Sequence, residues 1–189
     1  MQLPMEGDKQ KLIRVIQYVR NTPDLGINLE ASENVSVISY VDASYGVHDD
    51  LKFHTGFTIS IGKGSICLKS STQKINTKSS TEAELVGISD SLGYIIWLRN
   101  ILICRGYKDV GPAILGQGNM STTQLVKNGQ ANSDATRHIA IRFFFVHDRI
   151  KSEEISIIWI SINEMISDKL TKPLQGAKFK DFRGLLLNL

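Results

Sequence analysis

The chain has 189 residues, 42% of them hydrophobic and 22% charged, with a formal net charge of +3, which fits one domain with an appendage and an ordinary soluble core. No apolar run approaches the roughly 20 residues of a membrane span, and the start, MQLPMEGDKQKL, lacks the apolar stretch of a signal peptide. The charge is too small to demand a nucleic-acid partner, and Cys67 and Cys104, with no metal-ligand spacing, are expected to be buried thiols in a reducing compartment.

In chain order, the first predicted element is a helix over 9–20. Leu12, Val15, Ile16 and Val19 recur there at helical spacing, with Lys11, Arg14 and Arg20 elsewhere. Asn21-Thr22-Pro23 ends it, because a proline disfavours the helical state of the residue before it. Residues 24–34 read as a polar connector with room for a short extended piece. Residues 35–42 are rich in β-branched side chains and apolar on both parities, as suits a strand buried on both faces. Phe57, Ile59 and Ile61 then alternate with Thr58, Ser60 and Gly62, a turn falls at Gly62-Lys63-Gly64, and Ile66 and Leu68 continue in a second alternating run. These three runs predict an antiparallel meander.

A long helix is expected over 81–104, with Leu85, Ile88, Leu92, Ile95, Ile96 and Leu102 on a broad buried stripe, Trp97 in the core, and Gly106 as the stop. A short strand at 113–115, helices at 121–128 and 135–151, a fifth strand at 155–160 and a closing helix at 163–172, ended by Pro173, complete the chain. The order β-β-β-α-β-α-α-β-α implies an α/β fold with a five-stranded mixed sheet flanked by helices.

Three acids stand at places a mixed sheet can bring together: Asp42 at the end of the first strand, Glu84 in the first turn of the long helix, and Asp168 in the last helix. Clustered carboxylates suit hard divalent cations such as magnesium, and a pair of such ions roughly 4 Å apart can activate a water and stabilise the leaving oxygen of a phosphodiester. Each acid also has an ordinary reading. Asp42 precedes Ala-Ser-Tyr-Gly and suits a turn. Glu84 stands at capping-box spacing from Thr81, as Glu82 does from Ser79. Asp168 suits a solvated helix face. These patterns allow a carboxylate site without requiring one.

The motifs are more specific. YVDASYG, KSSTEAELVGISDSLGYIIWLRNIL, NMSTTQLVKN, TRHIAIRFFFVHDRIKSEEISIIWI and SDKLTKPLQGAKF resemble, in order and spacing, successive blocks of the ribonuclease H domain at the end of copia-type retrotransposon Pol polyproteins. The upstream KLIRVIQYVRNTPDLGINL resembles the connecting helix that leads out of the reverse transcriptase in those polyproteins. The resemblance implies a ribonuclease H-like fold over 35–189, a connecting helix and linker over 1–34, and an intracellular setting, cytoplasmic or in a virus-like particle. It implies hydrolysis of the RNA strand of RNA–DNA hybrids, with two Mg2+ ions (or Mn2+) held by four carboxylates and the reverse transcriptase as the neighbouring part of the polyprotein. By motif position three carboxylates are Asp42, Glu84 and Asp168. The third of the four falls at Gly118, which has no ligand atom, so hydrolysis is expected to be much reduced or absent. Glu164, four residues before Asp168, would share its helix face and is a candidate replacement; Gln117 is neutral and a poor one.

The loop before the last helix, SINEMIS, lacks the histidine many ribonucleases H carry there. His138 and His147 are expected to be structural, and His48 and His54 solvated. Ser44, Ser80, Thr81, Asn119 and Ser121 are candidates to contact the hybrid, and Lys172 to contact phosphate; for Ser80 and Thr81 helix capping competes. An inactive hybrid-binding or structural domain, and a degenerate transposon fragment, stay open beside the ribonuclease.

Overall fold

A computed structural model describes residues 5–31, 35–44, 52–129 and 137–189. The elements run α1 (Glu6–Arg20), β1 (Glu30–Ala31), β2 (Ile38–Ser44), β3 (His54–Ser60), β4 (Gly62–Lys63), β5 (Cys67–Thr72), α2 (Ser80–Cys104), β6 (Ala113–Gln117), α3 (Met120–Asn128), α4 (Arg137–Lys151), β7 (Ile155–Trp159), α5 (Asp168–Thr171) and α6 (Gly176–Leu187). His48 and the first two residues of the helix expected at 135–151 lie outside the described residues.

The main sheet has the order β5-β3-β2-β6-β7. The meander forms its antiparallel half, and β6 and β7 add to β2 in parallel. The expected α/β class and five-stranded mixed sheet are therefore what forms. The short extended piece of the connector is β1, which pairs with β4 as a separate two-stranded ribbon.

α2 supplies the core of one face. Leu85, Ile88, Leu92 and Ile95 pack with Val41, Phe57, Ile59, Leu115 and Ile157 of the sheet and with Phe143 and Val146 of α4, each worth about 1.5–3 kcal/mol when fully buried. The helix is long and apolar enough to cross a membrane by length and composition alone, but this buried stripe makes it the core helix of the domain. Its start is fixed by Ser79, whose side chain accepts the Glu82 N–H at 3.2 Å, while the Glu82 carboxylate accepts the Lys78 N–H at 2.7 Å. The capping arrangement is thus the Ser79–Glu82 one, and Glu84 is left for another use.

Several expectations fail. Trp97 is 63% exposed rather than core: it stands two residues past buried Ile95, about 200° further round the helix. Cys104 is exposed and Cys67 only half-buried. The closing helix is a single turn, α5, because residues 161–167 form turns before it and Pro173 stops it; an unforeseen helix, α6, follows. Glu164 therefore shares no helix with Asp168. It is exposed, and its carboxylate accepts the Ser161 hydroxyl at 3.0 Å.

α6 buries Phe182 and Leu186 and ties the connector to the domain. The Asn28 N–H donates to Leu187 O at 2.9 Å, its side-chain amide donates to Asn188 O at 3.0 Å, and the Asn188 amide donates back to Asn28 O at 3.2 Å. Tyr18 of α1 meets Phe179 of α6 edge-on.

Candidate carboxylate site

Strand register places the site. β2 and β6 are parallel with Val41 opposite Gln117, so the next residues along the two strands are Asp42 and Gly118. Successive strand residues point to opposite faces. Val41 and Gln117 face α2: the Val41 side chain lies at Gly87 of that helix, and the Gln117 amide donates to Glu84 Oε2 at 3.3 Å. Asp42 faces the other way, where Thr171 Oγ1 lies 2.7 Å from its Oδ2 and 2.9 Å from Asp168 O. A Cβ at position 118 would also point to that side, towards Met165.

α5 can lie this close to the sheet because the residue paired with Asp42 on β3 is Gly56. A Cβ there would come within 2.7 Å of Leu170 Cβ and 3.0 Å of Ser167 O.

The three acids predicted from sequence are therefore brought to one end of the sheet, from a strand, the second turn of α2 and the start of α5, and their charges act on one another. Glu84 is buried, and burial pushes its carboxyl well above the ordinary value of 4.5; the negative charges of Asp42 and Asp168 push the same way, while the Ala43 N–H and the Gln117 amide favour the ionised form. Asp42 is also raised from 3.8, first by burial, with the Thr171 hydroxyl opposing. Lys172 donates from Nζ to Asp168 Oδ1 and has its own pKa raised chiefly by that bond.

The substrate-contact candidates are placed unevenly. Ser44 is near the site, its hydroxyl donating to Thr171 O at 3.4 Å. Asn119 caps α3, accepting the Thr122 N–H at 3.1 Å. Thr81 offers its carbonyl to the Thr122 hydroxyl at 3.4 Å, and Ser80 and Ser121 are exposed. Lys172 faces a carboxylate. His147 is structural as expected: Nδ1 lies 2.9 Å from Val126 O and the ring stacks on Phe143. His54 Nε2 lies 2.7 Å from Ser70 Oγ.

Two positions that hold the carboxylates are not singled out by the sequence. Thr171, which joins β2 to α5, sits inside the quoted SDKLTKPL block three residues after Asp168, so the motif held the signal. Gln117, which the sequence offers only as a poor replacement ligand, holds Glu84 with one end and accepts the Asn119 N–H at 2.9 Å with the other.

The donor set suits a hard cation: carboxylate oxygens from three elements, one of them a buried acid whose charge is only partly compensated. Among the described residues no three His, Cys, Asp or Glu side chains already stand close enough to share an ion. Thr171 and Lys172 hold Asp42 and Asp168 instead.

A meander extended by parallel strands, with a core helix over one face, is the ribonuclease H fold. The structure superposes on a ribonuclease H1 isolated from compost with a TM-score of 0.53 at 12% identity, covering 71% of this chain and 91% of that one. It also superposes on the foamy viral protease-reverse transcriptase in complex with RNA/DNA hybrid with a TM-score of 0.52 at 13% identity, covering 90% of this chain and 26% of that one. No family model matches. In sequence, the chain is 30% identical over 183 residues to the retrovirus-related Pol polyprotein from transposon RE1 of Arabidopsis thaliana, covering 96% of this chain. It is 28% identical over 167 residues to that from transposon TNT 1-94 of Nicotiana tabacum. The chain spans only 12% of the length of either relative. The resemblance read from the motifs holds: this is a ribonuclease H-type domain of a copia-type retrotransposon Pol polyprotein.

Proposed function

We propose that this domain descends from, and retains in weakened form, a ribonuclease that hydrolyses the RNA strand of RNA–DNA hybrids during reverse transcription. The observation that carries the reading is the convergence of Asp42, Glu84 and Asp168 at one end of the sheet in a ribonuclease H fold. Asp42, Glu84 and Asp168 would hold Mg2+, or Mn2+ in its place. The ion would supply charge for the phosphate and acidify water for attack on it. The chain's own residues set the frame: Thr171 orients Asp42, and Gln117 and the Ala43 N–H orient Glu84. Ser44 stands at the rim for a sugar or phosphate contact.

Position 118 weakens the site. Magnesium affinity grows with carboxylate count, each 1.4 kcal/mol is about tenfold, and glycine contributes no ligand. A site built for two ions in the family would here hold one well and the second poorly. The reverse transcriptase part of the same polyprotein would be the natural neighbour, joined through the connector over 1–34.

The test is cleavage of a labelled hybrid in Mg2+ and in Mn2+. We expect slow cleavage, faster in Mn2+, that falls at least tenfold in Asp42→Asn. Equal cleavage by wild type and Asp42→Asn would overturn the carboxylate mechanism. Hybrid binding without cleavage would turn the reading to an inactive hybrid-binding domain.

A further inference from the structure

Lys172 leaves the end of α5 and folds its side chain back over the site, placing Nζ on Asp168 Oδ1. An Asp and a Lys four residues apart on an exposed helix make a weak and common pair, but two features set this one apart. Asp168 is mostly covered, with 23% of its side chain exposed. In addition, the backbone carrying Lys172 is pinned to β2, by Thr171 Oγ1 at 2.7 Å from Asp42 Oδ2 and by the Ser44 hydroxyl on Thr171 O at 3.4 Å.

We propose that the Lys172 ammonium is the internal counter-ion of the carboxylate site, paired with Asp168, and that a divalent cation must displace it from Asp168 to enter. The second half rests on the metal-binding reading above. The chemistry suits such an exchange. A lysine carries a compact charge on a flexible four-carbon stem, so the ammonium can withdraw while α5 stays pinned by Thr171. A divalent cation satisfies a carboxylate cluster with more charge than one ammonium does. Once displaced, Nζ would stand at the rim of the site, within reach of a phosphate oxygen.

The test uses the full chain, wild type and Lys172→Met, with two readouts. In chelator, the thermal midpoint of Lys172→Met should fall below that of wild type, and the difference should vanish in an Asp168→Asn background, as a double-mutant cycle requires of a direct pair. Binding of Mn2+, followed by the electron paramagnetic resonance of the free ion, should be about two- to fivefold tighter in Lys172→Met, the range expected when a competing partly exposed pair is removed. An unchanged or raised midpoint in chelator overturns the counter-ion. Unchanged or weaker Mn2+ binding overturns the displacement. If Mn2+ at millimolar concentration binds neither protein, the metal-binding reading of the site fails and the displacement with it, while the chelator arm still decides the counter-ion.

Discussion

Gly118 stands one residue beyond the last paired position of β6, beside Asp42 across the strands, and among the described residues the single neighbour a Cβ would meet is Met165 Cε at 3.5 Å, an ordinary contact. The backbone there is not in the left-handed region, since no positive φ occurs at 118. Its carbonyl is engaged, accepting the Trp159 indole N–H at 3.1 Å, and a side chain would not disturb that bond. An aspartate can therefore be accommodated without rebuilding the strand, and it would project on the side that carries Asp42. We expect Gly118→Asp to raise cleavage of a hybrid in Mg2+ by about tenfold or more, and to tighten Mn2+ binding, as an added charged oxygen ligand should. It should also lower stability in chelator, because a further negative charge joins the cluster. No gain in either cleavage or metal binding would show that position 118 is not where a ligand was lost.

At the scale of elements, what was legible in the sequence follows from periodicity. The stripe of α2 and the alternation of β3 repeat over enough residues to fix both element and face. The Ser79–Glu82 cap was visible as one of two alternatives, and only the fold chooses between them. Trp97 and the closing segment were not legible. A tryptophan two residues past Ile95 reads as apolar whichever way it points, and the turns at 161–167 contain Ile162, Met165 and Ile166 at a spacing that mimics a helix. The site was legible only through motif order, since Asp42, Glu84 and Asp168 lie 42 and 84 residues apart and no local pattern joins them. Gly56 shows what contact decides. It lets α5 lie on the sheet, and a methyl there would sit 2.7 Å from Leu170 Cβ and 3.0 Å from Ser167 O and Thr171 Cγ2, atoms of the backbone and of short side chains that cannot swing away. Gly56→Ala should lift α5 from β2 and β3, costing about 1–3 kcal/mol as overpacking does, readable as a fall in thermal midpoint of roughly 2–12 °C. Because Asp168 and Thr171 move with α5, Mn2+ binding should weaken together with stability. Wild-type stability in Gly56→Ala would show that the helix has slack there.

For the whole molecule, the same burial that shapes the site sets how its stability responds to pH. Glu84 and Asp42 are both raised in the folded chain, from ordinary values of 4.5 and 3.8. Below those values both groups are protonated in folded and unfolded chain alike and contribute no difference. As pH rises above them, the unfolded chain loses its protons first, so the folded chain binds more protons and stability falls with pH until the folded groups also ionise. Asp8, lowered by the Met5 N–H at the exposed start of α1, acts in the opposite direction. In chelator, the denaturation midpoint should therefore decline from about pH 4 towards neutral pH, the direction that linkage dictates for raised carboxyls. Glu84→Gln should flatten that decline and raise the midpoint at neutral pH, since an amide keeps the shape of the side chain and removes the buried charge. Saturating Mn2+ should reverse the trend in wild type, because an ion that binds the deprotonated cluster stabilises the folded chain most where the cluster is ionised, and the reversal should be lost in Glu84→Gln. Denaturant titrations at a series of pH values, with and without Mn2+, measure all four curves. A wild-type midpoint that rises from pH 4 to neutrality in chelator, with Glu84→Gln following the same curve, would mean that the buried carboxyl at the start of α2 does not carry the charge that defines this site.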